Sequence, residues 1–197
     1  MTDTYVLSCY KDDVYLSRCK KNHMYLIEFK AVNNKINIRG ILNFDLYKMM
    51  FELNKDVFES YKIIFPDPDN TSVAEILFIF KTLPGLGERY THVVACMPHL
   101  LESEKKNLIK IESSNANKET SLLKQYIPKN ATQIDSDNSS ILINVSSDNH
   151  SIQFYYNFKM LLSSDDKIYI PTMVDTIVSK YMKTIFVRIK LFIESLG

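Results

Sequence analysis

Val178-Ser179-Lys180-Tyr181-Met182-Lys183-Thr184-Ile185-Phe186-Val187-Arg188-Ile189-Lys190-Leu191-Phe192-Ile193-Glu194-Ser195-Leu196 is the most regular stretch of the chain. Val178, Met182, Ile185, Ile189, Phe192 and Leu196 are spaced 4, 3, 4, 3, 4, which predicts a helix, running from Pro171, with an a/d seam. Val174, Ile177, Tyr181, Phe186 and Ile193 widen the apolar stripe. A helix this apolar must pack on something. On the residues alone two packings stand equal: docking on its own domain, and self-association through the seam.

Upstream, the period changes to two. Ile141–Val145 and Ser151–Leu162 read as strands joined by the turn Ser146–Asn149, a hairpin. The first forty residues read as an antiparallel meander. Its strands are Tyr5–Tyr10, Val14–Cys19, His23–Phe29 and Lys35–Arg39, and its turns fall at Lys11-Asp12-Asp13, Lys20-Lys21-Asn22 and Asn33-Asn34. The connections are too short for crossover helices. Asn43 or Asp45 can cap a helix whose apolar face is Leu46, Met49, Met50, Leu53 and Val57. Val73–Leu83 fits helix or strand. Pro84-Gly85-Leu86-Gly87 breaks it, Tyr90–Met97 is a strand, and Pro98 opens a helix to about Ile111. Residues 112–140, rich in Ser, Asn, Asp and Lys, read as a surface loop with a short helix near Ser121–Tyr126.

The composition bounds the function. With 197 residues, 46% of them hydrophobic, the chain can bury a sizeable core. Its 24 basic and 23 acidic residues give a net charge of +1, which excludes a strongly basic nucleic-acid coat protein. Only four residues are Arg, so bidentate phosphate or guanine readout is scarce. No apolar run reaches about 18 residues, so no membrane span is expected, and the N-terminus is not a signal peptide. Three Cys (Cys9, Cys19, Cys96) form no even disulfide framework and suit a reducing compartment. The five Asn-x-Ser/Thr sites, at Asn70, Asn130, Asn138, Asn144 and Asn149, reflect an Asn- and Ser-rich composition.

Candidate chemistry is sparse. His92, Cys96 and His99 have metal-like spacing, and Cys19 with His23 makes a weaker pair. Neither gives the two recognisable ligand pairs of a structural zinc site, so a core cysteine with surface histidines is the expectation, and no metal or cofactor. The Gly85–Gly87 turn lacks the residues of a phosphate loop. Asp67/Asp69 and Asp165/Asp166 lie in turns, where Asp bonds its own backbone. Glu102 and Lys106 stand at i,i+4 on a solvated helix face. Lys20-Lys21 and Lys180/Lys183/Lys190 are modest basic clusters. No nucleophile, base and orienter can be assembled from the sequence, so the chain is not expected to be an enzyme.

Gln153-Phe154-Tyr155-Tyr156-Asn157-Phe158 and the exit Met160-Leu161-Leu162-Ser163 resemble the last head strand of the Cernunnos/XLF family of non-homologous end-joining factors. The likeness continues through the helix to about Leu196. Glu52-Leu53-Asn54-Lys55 is similar to the end of that family's first head helix, and Ile141–Val145 to the preceding strand. The chain departs from the pattern at residues 60–135, which are longer, and at Tyr156, which stands where Trp is usual.

The resemblance implies an α+β fold: an antiparallel β-sandwich head over 1–164, with a helical insertion at about 43–138, and the start of a coiled-coil stalk over 165–197. It implies a nuclear, non-catalytic scaffold of double-strand break repair, a homodimer through Val178, Met182, Ile185, Ile189, Phe192 and Leu196. Its partners would be the ligase-associated end-joining scaffold protein and, through complexes, Ku and DNA ends. Partner binding would fall on an exposed Ile152 and on Lys55 and Val57, with Asp56 where the family has Arg. A centriolar-type head-plus-coiled-coil protein or a lineage-specific interaction module would share this architecture.

Overall fold

The computed structural model describes residues 5–19, 24–83, 87–100, 107–159, 161–162 and 171–197, apart from the side chains of residues 83, 161–162, 171–175 and 177–178. Among the described residues eleven strands form one sheet. They are β1 (Tyr5–Lys11), β2 (Val14–Cys19), β3 (Met24–Val32), β4 (Phe58–Ile64), β5 (Val73–Leu83), β6 (Gly87–Cys96), β7 (Leu108–Asn115), β8 (Thr132–Asp135), β9 (Ser139–Val145), β10 (Ser151–Lys159) and β11 (Leu161–Leu162). The order along the sheet is β1-β2-β3-β10-β9-β7-β6-β5-β4, and every neighbouring pair on that path is antiparallel. The short β8 runs parallel to β6 and pairs with β11. Two α-helices complete the described fold: α1 (Asp45–Glu52) and α2 (Pro171–Ser195).

Local chemistry sets the corners. Asp12 and Asp13 both have positive φ (50° and 58°), the two-residue turn geometry that matches strand twist and that Asp tolerates. Asn149 does the same at the β9–β10 turn, with φ of 59°. Asn43 accepts a hydrogen bond from the Asp45 amide at 2.6 Å, an Asx turn just ahead of α1.

One face of the sheet carries the core. Alternate residues of nearly every long strand point to it: Val14 and Leu16, Tyr25 to Ala31, Ile76 and Phe78, Ile109 and Ile111, Ile141 to Val145, and Ile152, Phe154 and Phe158. α2 lies on this inner face and contributes Met182, Ile185, Phe186, Val187, Ile189 and Ile193 to the same cluster. Phe186 is fully buried, with its ring 5.6 Å from Phe154 and 5.5 Å from Tyr156. The far end of the helix is fastened twice. Buried Asn33 donates from Nδ2 to the carbonyls of Ile193 (2.7 Å) and Leu196 (2.8 Å), satisfying carbonyls that a helix end leaves open. Arg188 bonds Asn54 and grips Asp56 through both guanidinium nitrogens.

The head-and-stalk expectation is therefore corrected. The terminal helix is a layer of the domain and not the start of a coiled coil, and one continuous sheet replaces the sandwich. The physical reason is the width of the stripe: Phe186, Val187 and Ile193 beside the seam positions give the broad face that a helix lays on a sheet, where an a/d seam is narrow. The expected boundary at 164/165 lies outside the described residues. Local expectations are also corrected or resolved: residues 112–140 are not all loop, since they hold the end of β7, the whole of β8 and the start of β9. Lys35–Arg39 is not a strand but leads into a 3-10 turn at Ile38–Ile41. The ambiguous Val73–Leu83 is a strand. The expected helix from Pro98 cannot reach Ile111, because β7 begins at Leu108. Residues 101–106, with Glu102 and Lys106, lie outside the described residues, as do Lys20, Lys21, His23, Asp165, Asp166 and the 84–86 part of the glycine turn. No described helix is long and apolar enough to cross a membrane.

Candidate functional site

Between α2 and the inner face lies a cavity of about 60 Å³. Met182 and Ile185 form its roof, Met50 of α1 one side, and Phe58, Phe78, Phe80, Val93 and Phe158 its apolar walls. The strand period explains this lining, since Phe78 and Phe80, or Tyr156 and Phe158, stand two apart and share a face. Six hydroxyl residues interrupt the apolar surface: Tyr47, Thr91, Ser113, Ser136, Ser139 and Tyr156. Ser113 of β7 and Ser139 of β9 are directly opposed across the ladder. The Tyr47 hydroxyl stands 3.4 Å from Ser113 Oγ, and Tyr156 lines the same cavity. Ser139 donates to the Ser136 carbonyl at 2.6 Å. Burial pushes the Tyr47 phenol up to about 12 and raises that of Tyr156 as well, so both remain neutral donors. Lys159, the one cation among the lining residues, is paired with Asp135 at 3.1 Å.

The outer face of the same strands carries a second cluster. Glu75, Leu77 and Ile79 of β5 and Tyr90 and His92 of β6 point away from α2, and the segment 116–131 crosses over them. Leu123 and Ile127 of that segment pack on Leu77 and Tyr90. His92 is fully buried, and its Nε2 donates to Glu75 Oε1 at 2.7 Å. Ser121 Oγ lies 3.1 Å from the same Nε2 and also donates to Glu75. Burial works to raise the Glu75 carboxyl, but hydrogen bonds from Ser121 and His92 outweigh it and hold it below its ordinary value. A nucleophile, a base and an acid thus do come together, contrary to the sequence reading. They do not form a catalytic relay: the serine and the carboxylate share one ring nitrogen, and Nδ1 is enclosed without a partner. The cluster pins the 116–131 segment.

The residues expected to carry function are placed otherwise. Ile152 is not exposed: it is 2% accessible, set between Ala31 of β3 and Val145 of β9 in mid-sheet. The Ser146–Ser151 turn is tight enough that the ladder begins at once. Val57 is buried in the core, while Lys55 is exposed and paired with Glu52 at 2.7 Å. Asp56 is the intramolecular anchor of Arg188. Of the expected dimer seam, Met182 and Ile185 line the cavity, Ile189 is buried in the core, and Phe192 and Leu196 are half-buried. The Val178 side chain lies outside the described residues. His92 is buried and not on the surface, Cys96 is half-buried and His99 is exposed. No group of His, Cys, Asp or Glu among the described residues could hold a metal.

No protein-family model matches the sequence, and no curated protein matches it. Solved structures do match. The human StarD13 (DLC2) lipid transfer and protein localization domain superposes with a TM-score of 0.71 at 13% identity, over 99% of this chain and 91% of that one. Human StAR-related lipid transfer protein 5 gives 0.67 at 10% identity, over 96% and 86%. A StAR-related lipid transfer protein from Xanthomonas axonopodis gives 0.63 at 10% identity, over 97% and 99%. The fold is the one these domains share. That finding overturns the resemblance to end-joining factors, and with it the double-strand break repair function, the DNA-repair assignment and the partners drawn from it: the ligase scaffold, Ku, DNA ends and the homodimer.

Proposed function

We propose that the chain is a non-catalytic binding module that takes up a small apolar or amphipathic molecule between α2 and the inner face of the sheet. One observation carries the reading: a cavity walled by phenylalanine and methionine, with a few hydroxyl groups in its lining, in a fold shared with domains named for lipid transfer. Such lining is the usual character of a small-molecule site, apolar with a few convergent polar groups. The volume of about 60 Å³ is well below the roughly 300–1,000 Å³ of drug-sized sites, so uptake requires side chains to yield. Met50 and Met182 are suited to that, being unbranched and readily repacked.

The same volume favours a second reading, in which the fold is filled by its own side chains and serves as a protein-interaction domain. A neutral apolar fluorophore such as 1-aminoanthracene separates the two. Carriage predicts one saturable site per chain, abolished by Met182→Trp, which fills the cavity, with the fold retained by circular dichroism. Absence of binding, or binding that Met182→Trp leaves unchanged, would favour the filled domain.

A further inference from the structure

Resting on the reading of this cavity as a binding site, we infer that its ligand is an uncharged amphiphile carrying a hydroxyl or carbonyl, and not an anionic lipid. Tyr47, Ser113, Ser139 and Tyr156 come from α1, β7, β9 and β10 and share a lining that is otherwise apolar except for Thr91, Ser136 and Lys159. Tyr47, Ser113 and Ser139 are each at least nine-tenths buried. Polar residues so enclosed are ordinarily well hydrogen-bonded, yet the Tyr47–Ser113 contact is long at 3.4 Å, beyond the usual O–H···O range of 2.5–3.0 Å. A ligand oxygen seated between them would replace one poor hydrogen bond by two good ones. A hydroxyl can both accept from the phenol and donate to the serine, and a carbonyl can accept from both.

Charge decides the class. An ionised carboxylate or phosphate taken out of water requires an opposite charge and further hydrogen bonds. The four hydroxyls are neutral. Lys159 is already matched by Asp135, so an anion entering here would meet a carboxylate as well as the ammonium. The phenols stay protonated, so they cannot serve as counter-charges to a cationic head group either. What the site offers is donor and acceptor capacity without net charge, which fits an alcohol or a ketone on an apolar body.

The test uses the intact chain and a set of probes with one tail and four heads: n-decane, 1-decanol, decanoate and decyl phosphate, each displacing 1-aminoanthracene at pH 7.5. The expected order has 1-decanol at least tenfold tighter than decanoate and decyl phosphate. The double variant Tyr47→Phe, Ser113→Ala should weaken 1-decanol about tenfold and leave n-decane unchanged. Ser139→Ala serves as a second variant if the double variant does not fold, and the probe order on the unaltered chain needs no variant. Decanoate or decyl phosphate binding as tightly as 1-decanol would overturn the head-group inference while leaving carriage standing. So would a variant that weakens n-decane and 1-decanol equally. Failure of all four probes, n-decane included, would overturn the carriage reading itself.

Discussion

The two faces of β5 and β6 are built from alternate residues of the same strands, and they are held by opposite means. On the inner face Phe78, Phe80, Thr91 and Val93 meet methionine and aromatic side chains around a cavity, where the one described charge is Lys159, paired with Asp135. On the outer face, one residue out of step, Glu75 and His92 lock Ser121 in a buried polar cluster over a small apolar core. Dispersion contacts among flexible side chains are individually weak and can be exchanged for those of a ligand. A buried, hydrogen-bonded polar cluster is specific in geometry and costly to break from one side. The sheet is thus fixed from outside by bonds of defined geometry and lined within by side chains that can repack, which is what the proposed uptake requires.

Substitutions can break this contrast from either side. The largest effect is expected at Ile189→Asp, which puts an unpaired carboxylate into the inner core. Such burial costs about 4 kcal/mol or more, and a melting temperature falling by some 10 °C or more is the expected result. A seam that served only self-association would instead leave the monomer's melting temperature unchanged and lower only the mass in light scattering.

Next in size is His92→Leu. The change takes a hydrogen-bond donor from the buried Glu75 carboxylate, at a cost of about 1–3 kcal/mol or more, and the loss should appear first on the outer face. Hydrogen exchange at the amides of Ala116 and Leu123, which bond to the His92 carbonyl and the Ser121 hydroxyl, should accelerate more than exchange on β3 or β10. Uniform acceleration through the whole sheet would show that the two faces are not separately held. Acid should act in the same place. Glu75 is held below its ordinary value of 4.5, so its contribution is complete above about 4.5 and is lost as pH falls through the lower folded value. The 116–131 segment should therefore lose protection only at pH below that of an ordinary carboxylate. Loss beginning near pH 6 would contradict the assignment.

Smaller effects are expected at the fastenings of α2. Asn33→Ala leaves the Ile193 and Leu196 carbonyls without their donor and should cost about 1–2 kcal/mol. Arg188→Met removes the clasp on Asp56. Both side chains are more than a third exposed, at 38% and 61%, so solvent screening holds the loss below about 1 kcal/mol, and salt should shrink it further. A thermal melt in low and high salt checks both: Asn33→Ala should be insensitive to salt and Arg188→Met sensitive.

How much of this could be read from the chain depends on where period and context agreed. The β1–β2 hairpin and the β9–β10 hairpin were legible because strand formers alternate on either side of short Asp- or Asn-bearing turns. The terminal helix was legible as a helix, but not its partner. Ile185 and Ile189 satisfy a coiled-coil seam and a sheet face alike, and only the breadth added by Phe186, Val187 and Ile193 distinguishes them. Ile152 was misplaced because a polar turn suggests a strand mouth, whereas pairing on both sides begins at that residue. The hydroxyl site left a faint trace. Ile109-x-Ile111-x-Ser113 and Ser139-x-Ile141-x-Ile143 each set a serine in an apolar slot of a two-residue period. Reading the first as the end of a helix hid the trace. Glu75, His92 and Ser121 are 17 and 29 residues apart, and only the pairing of β5 with β6 and the path of the overlying segment bring them together.

Entry of a ligand between α2 and the inner face would be reported directly by methionine methyl resonances. Of the eight methionines, Met50 and Met182 line the cavity. With the methyl groups labelled in ¹³C, titration with 1-decanol should shift these two and give ligand-to-methyl Overhauser contacts to both. Met24, on β3 and outside the cavity lining, should stay where it is. Contacts confined to other methionines, or no shift of Met50 and Met182 at saturating ligand, would contradict the account.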